Sequence, residues 1–280
     1  MSEDISWRRL LEEAADRLGD RMEARRIVEE ATGREGAELV LHLDSDATAL
    51  AHTRFQDMVE RRAAGEPLQY VLGRWGFRTL DVHVDARVLI PRPETEVVVE
   101  HALRVVDELS ASTVVDLGTG SGVIAMSLAM ERSSLSVWAT DASAAALAVA
   151  TANLAGLGRA AARVRVVAGR WFEALPPDLQ GAIEVVVSNP PYVAEGDLLP
   201  PEVSEWEPTD ALIAGPTGLE AIERIVRDAP VWLRRPGALV LEIGETQGYS
   251  ACSLASDAGF GSVDVEPDLT GRPRVLVARL

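Results

Sequence analysis

The sequence has no lysine: every one of its 27 basic residues is arginine. That absence removes the enzymes that depend on a Walker A lysine, a pyridoxal Schiff base or a lysine nucleophile. There is one cysteine, Cys252, so there is no internal disulfide and no cysteine pair for zinc. In its Ala/Ser-rich helical context, with no histidine nearby in sequence, Cys252 reads as inert packing. The four histidines, His42, His52, His83 and His101, are scattered without ligand spacing. No apolar run reaches the ~18 residues of a membrane span. The chain opens with Glu3, Asp4, Arg8 and Arg9 and carries no apolar signal core. These absences lead to the expectation of a reduced cytoplasmic protein with no structural metal and no membrane contact. Positive charge is also scarce: 27 arginines against 44 acids leave a net charge of −17. Such a chain is a poor default partner for nucleic-acid phosphates.

What is present is the composition of a folded protein. The 280 residues are 47% hydrophobic and 25% charged, which excludes wholesale disorder, collagen and coiled coil. A chain of this length can bury roughly 75% of its extended surface in one or two domains. Residues 1–67 read as a helical bundle. Ile5, Leu10, Leu11, Ala14 and Leu18 recur at helical spacing, Arg25 to Ala31 continues to a stop at Gly33, and Asp46 is placed to cap a longer helix through Phe55 and Met58. Residues 68–98 change character. Tyr70, Val71, Trp75, Phe77, Leu80, Val82 and Val84 are β-prone and broken by glycines, which reads as a β-hairpin linking two domains. It closes on Pro91 and Pro93, after which Glu94 and Glu96 suit a helix N-terminus. Over 99–280, apolar strands at 113–117, 135–140, 163–168, 183–188 and 237–243 alternate with helices at 121–131, 143–156 and 218–234. That pattern is an α/β fold with a parallel sheet covered on both faces. Two last strands, 262–266 and 274–278, are expected to pair antiparallel.

Two turns carry the chemistry. The first strand runs into Asp116-Leu117-Gly118-Thr119-Gly120-Ser121-Gly122 and opens a helix. Glycines at every second position let a ligand approach the backbone and the free helix N–H groups. The next strand ends at Asp141, 19 residues after Gly122, where a carboxylate can accept from both hydroxyls of a ribose. The glycine spacing is not that of the dinucleotide fingerprint, which favours a nucleoside without pyrophosphate and points to S-adenosylmethionine rather than NAD. The second turn, Asn189-Pro190-Pro191-Tyr192, follows a strand of buried type. Its two prolines remove two N–H groups and fix two φ angles. It leaves a side-chain amide, main-chain carbonyls and an aromatic ring at the carboxyl end of the sheet, where ligands bind in such folds. The Asn189 amide oxygen and the Pro190 carbonyl can accept the two hydrogens of a planar –NH2 group, and Tyr192 can cover its face.

These residues resemble the class I S-adenosylmethionine-dependent methyltransferases that modify planar amino groups. The Asn-Pro-Pro-Tyr signature alone leaves adenine-N6, guanine-N2 and protein-glutamine N5 methyltransferases open. The wider pattern is similar to the peptide chain release factor glutamine methyltransferase family (PrmC, or HemK): a helical N-terminal domain, GEPLQYVLG at 65–73, LIPRPETE at 89–96, then the catalytic domain. The resemblance runs over nearly the whole chain. Enzymes that methylate a ribosomal-protein glutamine differ, in the family pattern, at the residue after the arginine of that second segment. The resemblance implies a Rossmann-like seven-stranded sheet and N5-methylation of the glutamine in the Gly-Gly-Gln motif of class 1 release factors. It implies that Gly118, Thr119, Gly120, Ser121, Gly122 and Asp141 hold the cofactor, that Trp171 lies by its adenine with Asn189 close to it, and that Asn189, Pro190, Pro191 and Tyr192 hold the glutamine. Some members carry aspartate before the aromatic, where this chain has Arg170. The loop with Arg92 and Glu94 is expected to border the active site.

Charge bears on the substrate. Residues 1–80 hold 12 Arg and 16 acids, a net −4, so the rest of the chain carries −13. From Trp171 through Glu223 there are 11 acids and no Arg, including Glu195, Asp197, Glu202, Glu205, Glu207 and Asp210. This argues for a neutral or basic protein surface as substrate and against stable nucleic-acid binding. The alternatives are a methyltransferase of a ribosomal-protein glutamine or of a nucleic-acid base amino group, and a non-catalytic nucleoside-binding module, which would not need the Asn-Pro-Pro-Tyr turn. An amide nitrogen is a weak nucleophile and the sulfonium methyl a strong electrophile, so the task is alignment at roughly 3 Å. No residue has general-base spacing. A monomer is expected.

Overall fold

The first helices form because the sequence supplies a cap, an apolar stripe and a stop in that order. The computed structural model describes residues 5–280; Glu3, Asp4 and the other residues before Ile5 in the expected helical domain lie outside the described residues. Helix α1 (Trp7–Leu18) buries Trp7, Leu10, Leu11 and Ala14 on one face and ends at Gly19, φ 70°. The Asp20 carboxylate caps α2 (Arg21–Thr32), accepting from the backbone N–H of Met22 at 2.7 Å and of Glu23 at 3.1 Å. This cap starts α2 before the expected Arg25. After α3 (Gly36–His42), helix α4 (Ala49–Ala63) is capped by the Thr48 hydroxyl rather than by Asp46, which forms a β-bridge with Ser6.

Residues 68–72 correct the expected hairpin. They form one helical turn, α5 (Leu68–Leu72), opened by Pro67 and closed by Gly73. Val71, with Leu68 and Leu72, packs into the cluster built on Trp7, Ile27, Phe55 and Met58, and this burial outweighs the β preference of Val71. The hairpin proper is β1 (Arg74–Phe77) and β2 (Leu80–His83), turning through Arg78. The described residues form two compact units. One runs to Arg74 and includes Pro200–Trp206; the other holds Trp75–Leu199 and Glu207–Leu280.

The second unit is built on one sheet. In chain order come α6 (Pro93–Leu109), β3 (Thr113–Leu117), α7 (Val123–Glu131), β4 (Ser136–Asp141), α8 (Ala144–Ala155), β5 (Val164–Ala168) and β6 (Ile183–Ser188). The short β7 (Val193–Ala194) pairs in parallel with β8 (Ile213–Gly215); between them lie α9 (Pro201–Ser204), in the segment of the first unit, and α10 (Thr209–Leu212). Then follow α11 (Glu220–Trp232), β9 (Leu233–Glu242), α12 (Gly248–Asp257), β10 (Ser262–Pro267) and β11 (Pro273–Arg279).

The seven strands lie in the order β10-β11-β9-β6-β3-β4-β5. Strands β9, β6, β3, β4 and β5 are mutually parallel, and β11 is antiparallel to both β9 and β10. Every residue of β6 is buried, as expected for a strand covered on both faces. The chain winds outward from β3 through β4 to β5, then returns to β6 on the other side of β3. The carboxyl ends of β3 and β6 therefore meet at the switch point where open α/β sheets bind ligands. Leu117 is in register with Ser188, whose hydroxyl donates to the Leu117 carbonyl at 2.6 Å. No helix among the described residues is long and apolar enough to cross a membrane.

Candidate active site

The turn after β3 is shaped by its glycines. Gly118 has φ 71°, and a Cβ there would sit 3.2 Å from the Trp171 ring. Gly122 has φ 89°, and its Cβ would press on Met126 at 3.3 Å and Ala150 at 3.4 Å. A side chain at either position meets both an unfavourable dihedral and a packed neighbour. Between them, the Gly120 N–H donates to Asp141 Oδ2 at 2.9 Å, and Ser143 N–H donates to Asp141 Oδ1 at 2.8 Å. The carboxylate at the end of β4 thus fixes the glycine turn and the first turn of α8 together. Trp171 sits at φ 50°, a strained conformation for a large aromatic residue, and such strain gathers at functional sites.

Below the turn, Asp116 is fully buried on β3. Its Oδ2 accepts from the Thr119 hydroxyl at 2.6 Å and from Ala125 N–H at 3.1 Å, while Oδ1 has no partner. Burial pushes this carboxyl up to about 7.

The second turn joins a buried network. Asn189 Nδ2 donates to Thr95 Oγ1 at 3.1 Å, and Thr95 Oγ1 donates to Glu242 Oε2 at 2.7 Å. The Tyr192 hydroxyl donates to Glu242 Oε1 at 3.2 Å. Glu242 ends β9 and is wholly buried, and burial raises its carboxyl to about 7 against the pull of Thr95, Arg274 and Tyr192. Burial likewise raises the Tyr192 phenol, with Glu242 adding to the effect. Arg274 is buried as well, donating to the Ile243 carbonyl at 3.0 Å and lying 6.0 Å from the centre of the Tyr192 ring. The Gln247 side chain donates to the Tyr192 carbonyl at 2.9 Å and to the Gly218 carbonyl at 3.0 Å.

One cleft of about 1150 Å³ brings most of the predicted residues together: Gly118, Thr119, Gly120, Ser121, Asp141, Trp171, Asn189 and Pro191 all line it. Gly122 is packed beneath. Pro190 is buried and the Tyr192 hydroxyl is anchored on Glu242, so their side chains sit behind the cleft wall formed by Asn189 and Pro191. Arg92 lines the cleft and pairs with the buried Glu207, which also accepts from Ile90 N–H at 3.1 Å. Arg170 lies at the cleft wall, exposed. Glu94 instead faces Arg272 at 3.8 Å.

Sequence reasoning missed Thr95, Glu242 and the partner of Arg92. Signals existed: a carboxylate ending the otherwise apolar run Ala238–Leu241, and a threonine inside the very segment that singled out Arg92 and Glu94. The acidic stretch also needs correction, since some of its members turn inward. Glu184 accepts from Ser112 and Thr113 N–H groups and pairs with Arg234 at 2.9 Å, and Glu207 is held by Arg92. Glu195, Asp197, Glu205 and Asp210 remain exposed, as does Glu202 in its ion pair with Arg62 at 2.6 Å. Cys252 is partly buried on α12, and burial raises its thiol above the usual range, the opposite of nucleophilic activation.

The chemistry of this donor set fits a cationic nucleoside: a carboxylate at the mouth, an indole beside the glycine turn and an unpartnered buried carboxylate oxygen beneath it. Fold and cleft together define the class, a class I methyltransferase with S-adenosylmethionine as methyl donor. Residues 6–73 match the family model of the PrmC N-terminal domain, and residues 95–201 match that of the methyltransferase small domain. The release factor glutamine methyltransferase of Xylella fastidiosa is 43% identical over 274 residues, 96% of each chain. That of Cereibacter sphaeroides is 42% identical over 263 residues, 92% of this chain and 90% of the relative. The chain belongs to the release factor glutamine methyltransferase family. Among solved structures, a methyltransferase from Pyrococcus furiosus is similar with a TM-score of 0.51 at 15% identity, over 83% of this chain and 98% of that one. The 16S rRNA N2 methyltransferase RsmC of T. thermophilus is similar with a TM-score of 0.53 at 16% identity, over 74% of this chain and 49% of that one. At such identities the likeness is one of fold.

Proposed function

We propose that this protein methylates the side-chain nitrogen, N5, of the glutamine in the Gly-Gly-Gln motif of class 1 peptide chain release factors, acting in the cytoplasm as a monomer. The observation that carries the chemistry is Asn189. Its amide nitrogen is engaged by Thr95, and its oxygen has no partner among the described residues, at the wall of the cleft shared with Asp141 and the glycine turn. The name carried by relatives along 96% of the chain supports the release factor as substrate and disfavours a ribosomal-protein glutamine or a nucleic-acid base.

In this reading the methyltransferase domain follows a helical N-terminal domain. Gly118, Thr119, Gly120, Ser121, Gly122 and Asp141 hold the methyl donor, and Trp171 flanks its adenine. When bound, the donor supplies an electrophilic methyl on a positively charged sulfur. The protein's own work is alignment. Asn189 Oδ1 and the Pro190 carbonyl accept the two hydrogens of the glutamine –NH2. They keep its nitrogen turned toward the donor side of the cleft and stabilise the positive charge that grows there. The stiff Pro190-Pro191 backbone keeps the two acceptors in register. No carboxylate is needed as base, because an N-protonated amide is very acidic and sheds its proton unaided.

The test is incubation of the purified protein with a class 1 release factor and methyl-labelled S-adenosylmethionine. Label on the Gly-Gly-Gln glutamine, lost when that glutamine is changed to alanine, supports the reading. Label that persists in the alanine variant refutes it.

A further inference from the structure

Both ends of the Asn-Pro-Pro-Tyr turn lead to one carboxylate. Asn189 reaches Glu242 through Thr95, and Tyr192 reaches it directly. Thr95 occupies the first turn of α6 and Glu242 the last position of β9, 147 residues apart. Thr95 is 3% exposed and Glu242 0%. Neither apolar packing nor a surface ion pair accounts for two polar groups at such depth, and buried polar groups of this kind are retained where their bonds are satisfied.

We infer that Thr95 and Glu242 are positioning residues that decide which end of the Asn189 carboxamide faces the cleft. A threonine hydroxyl has one hydrogen to donate. Ionised Glu242 accepts from both Tyr192 and Thr95, which spends the Thr95 hydrogen and leaves Thr95 to accept from Asn189. The Asn189 –NH2 is thereby drawn inward and its oxygen left outward. Reversed, the amide would offer hydrogens to a substrate –NH2 that also has only hydrogens to offer. The inference rests on the reading of Asn189 as an acceptor for the substrate amide, and it adds what enforces that polarity.

The test is a double-mutant cycle on the full chain, with turnover of a release factor and the Kd of S-adenosylmethionine measured for Thr95→Val, Thr95→Ser, Asn189→Ala and the Thr95→Val/Asn189→Ala pair. Misorientation of one aligning group costs about 100-fold. Thr95→Val is expected to lower kcat by about that factor with donor affinity within about 2-fold, and Thr95→Ser to restore kcat. In the Asn189→Ala background the same change should cost nothing further, because its effect runs through Asn189. If Thr95→Val does not fold, Glu242→Met, which removes the acceptor and keeps the volume, must lower kcat alike. Additive losses, or normal kcat in Thr95→Val or Glu242→Met, overturn the inference. Normal turnover by Asn189→Ala refutes the underlying reading instead, whatever Thr95 does.

Discussion

At the scale of single residues, the site separates binding from alignment. In the proposed reading Asn189 offers its oxygen to the substrate amide, so Asn189→Ala should lower kcat by about 100- to 1,000-fold, the usual cost of losing one preorganised hydrogen-bonding group. Donor affinity should fall far less, and steady-state kinetics beside calorimetric titration read the two apart. Asp141 contributes in the opposite sense. Its two oxygens already hold Gly120 and Ser143 N–H groups, and the residue lines the cleft. Asp141→Ala should weaken donor binding by about 10-fold or more, since a charge-assisted hydrogen bond contributes roughly 1.5–3 kcal/mol. Gly122 is a matter of stability. With φ at 89° and Met126 and Ala150 against the missing Cβ, Gly122→Ala should cost about 1–3 kcal/mol in urea unfolding, the range for a strained backbone position.

At the scale of elements, two buried carboxylates at strand ends set a pH dependence. Burial raises Asp116 and Glu242 to about 7. Asp141 adds to the shift of Asp116, while Thr95, Arg274 and Tyr192 oppose that of Glu242 and Glu94 adds to it. The folded chain therefore keeps protons that the unfolded chain has released above the ordinary carboxylate range. Stability from this source is fully present at low pH and is lost as pH rises toward about 7. Asp268 acts the other way: its hydrogen bond from Thr270 and the N–H groups of Thr270 and Arg272 hold it near about 2, so its contribution is lost only in acid. Urea unfolding between about pH 5 and 8 should show a declining midpoint in the parent and a flatter profile in Asp116→Asn. An unchanged slope in that variant would remove Asp116 from the account. The same elements show what sequence can carry. Uniformly apolar runs such as Ile183–Ser188 place a buried parallel strand unaided, because period and hydrophobicity are local. The glycine turn and the proline corner were legible for the same reason, since their geometry is written in consecutive residues. Thr95 and Glu242 were not, because a hydrogen bond across 147 positions leaves no local trace. Residues 68–72 misled because Leu68, Val71 and Leu72 take their helical turn from the cluster they pack into, a tertiary effect that local propensity cannot register.

At the scale of the whole molecule, charge narrows the partner. The net −17 repels polyphosphate chains, although part of the acidic stretch after Trp171 is spent on internal ties such as Glu184 to Arg234 and Glu207 to Arg92. Glu195, Asp197, Glu205 and Asp210 are left at the surface, and in the proposed reading they favour a basic protein face. The account turns on a carboxamide oxygen held toward a neutral –NH2 beside a bound methyl donor. A crystal structure of the protein with the demethylated donor and a class 1 release factor tests this most directly. The account predicts the Gly-Gly-Gln side-chain nitrogen about 3 Å from Asn189 Oδ1, with the donor sulfur on the Asp141 side. A glutamine that presents its oxygen to Asn189, or lies outside the cleft, would contradict it.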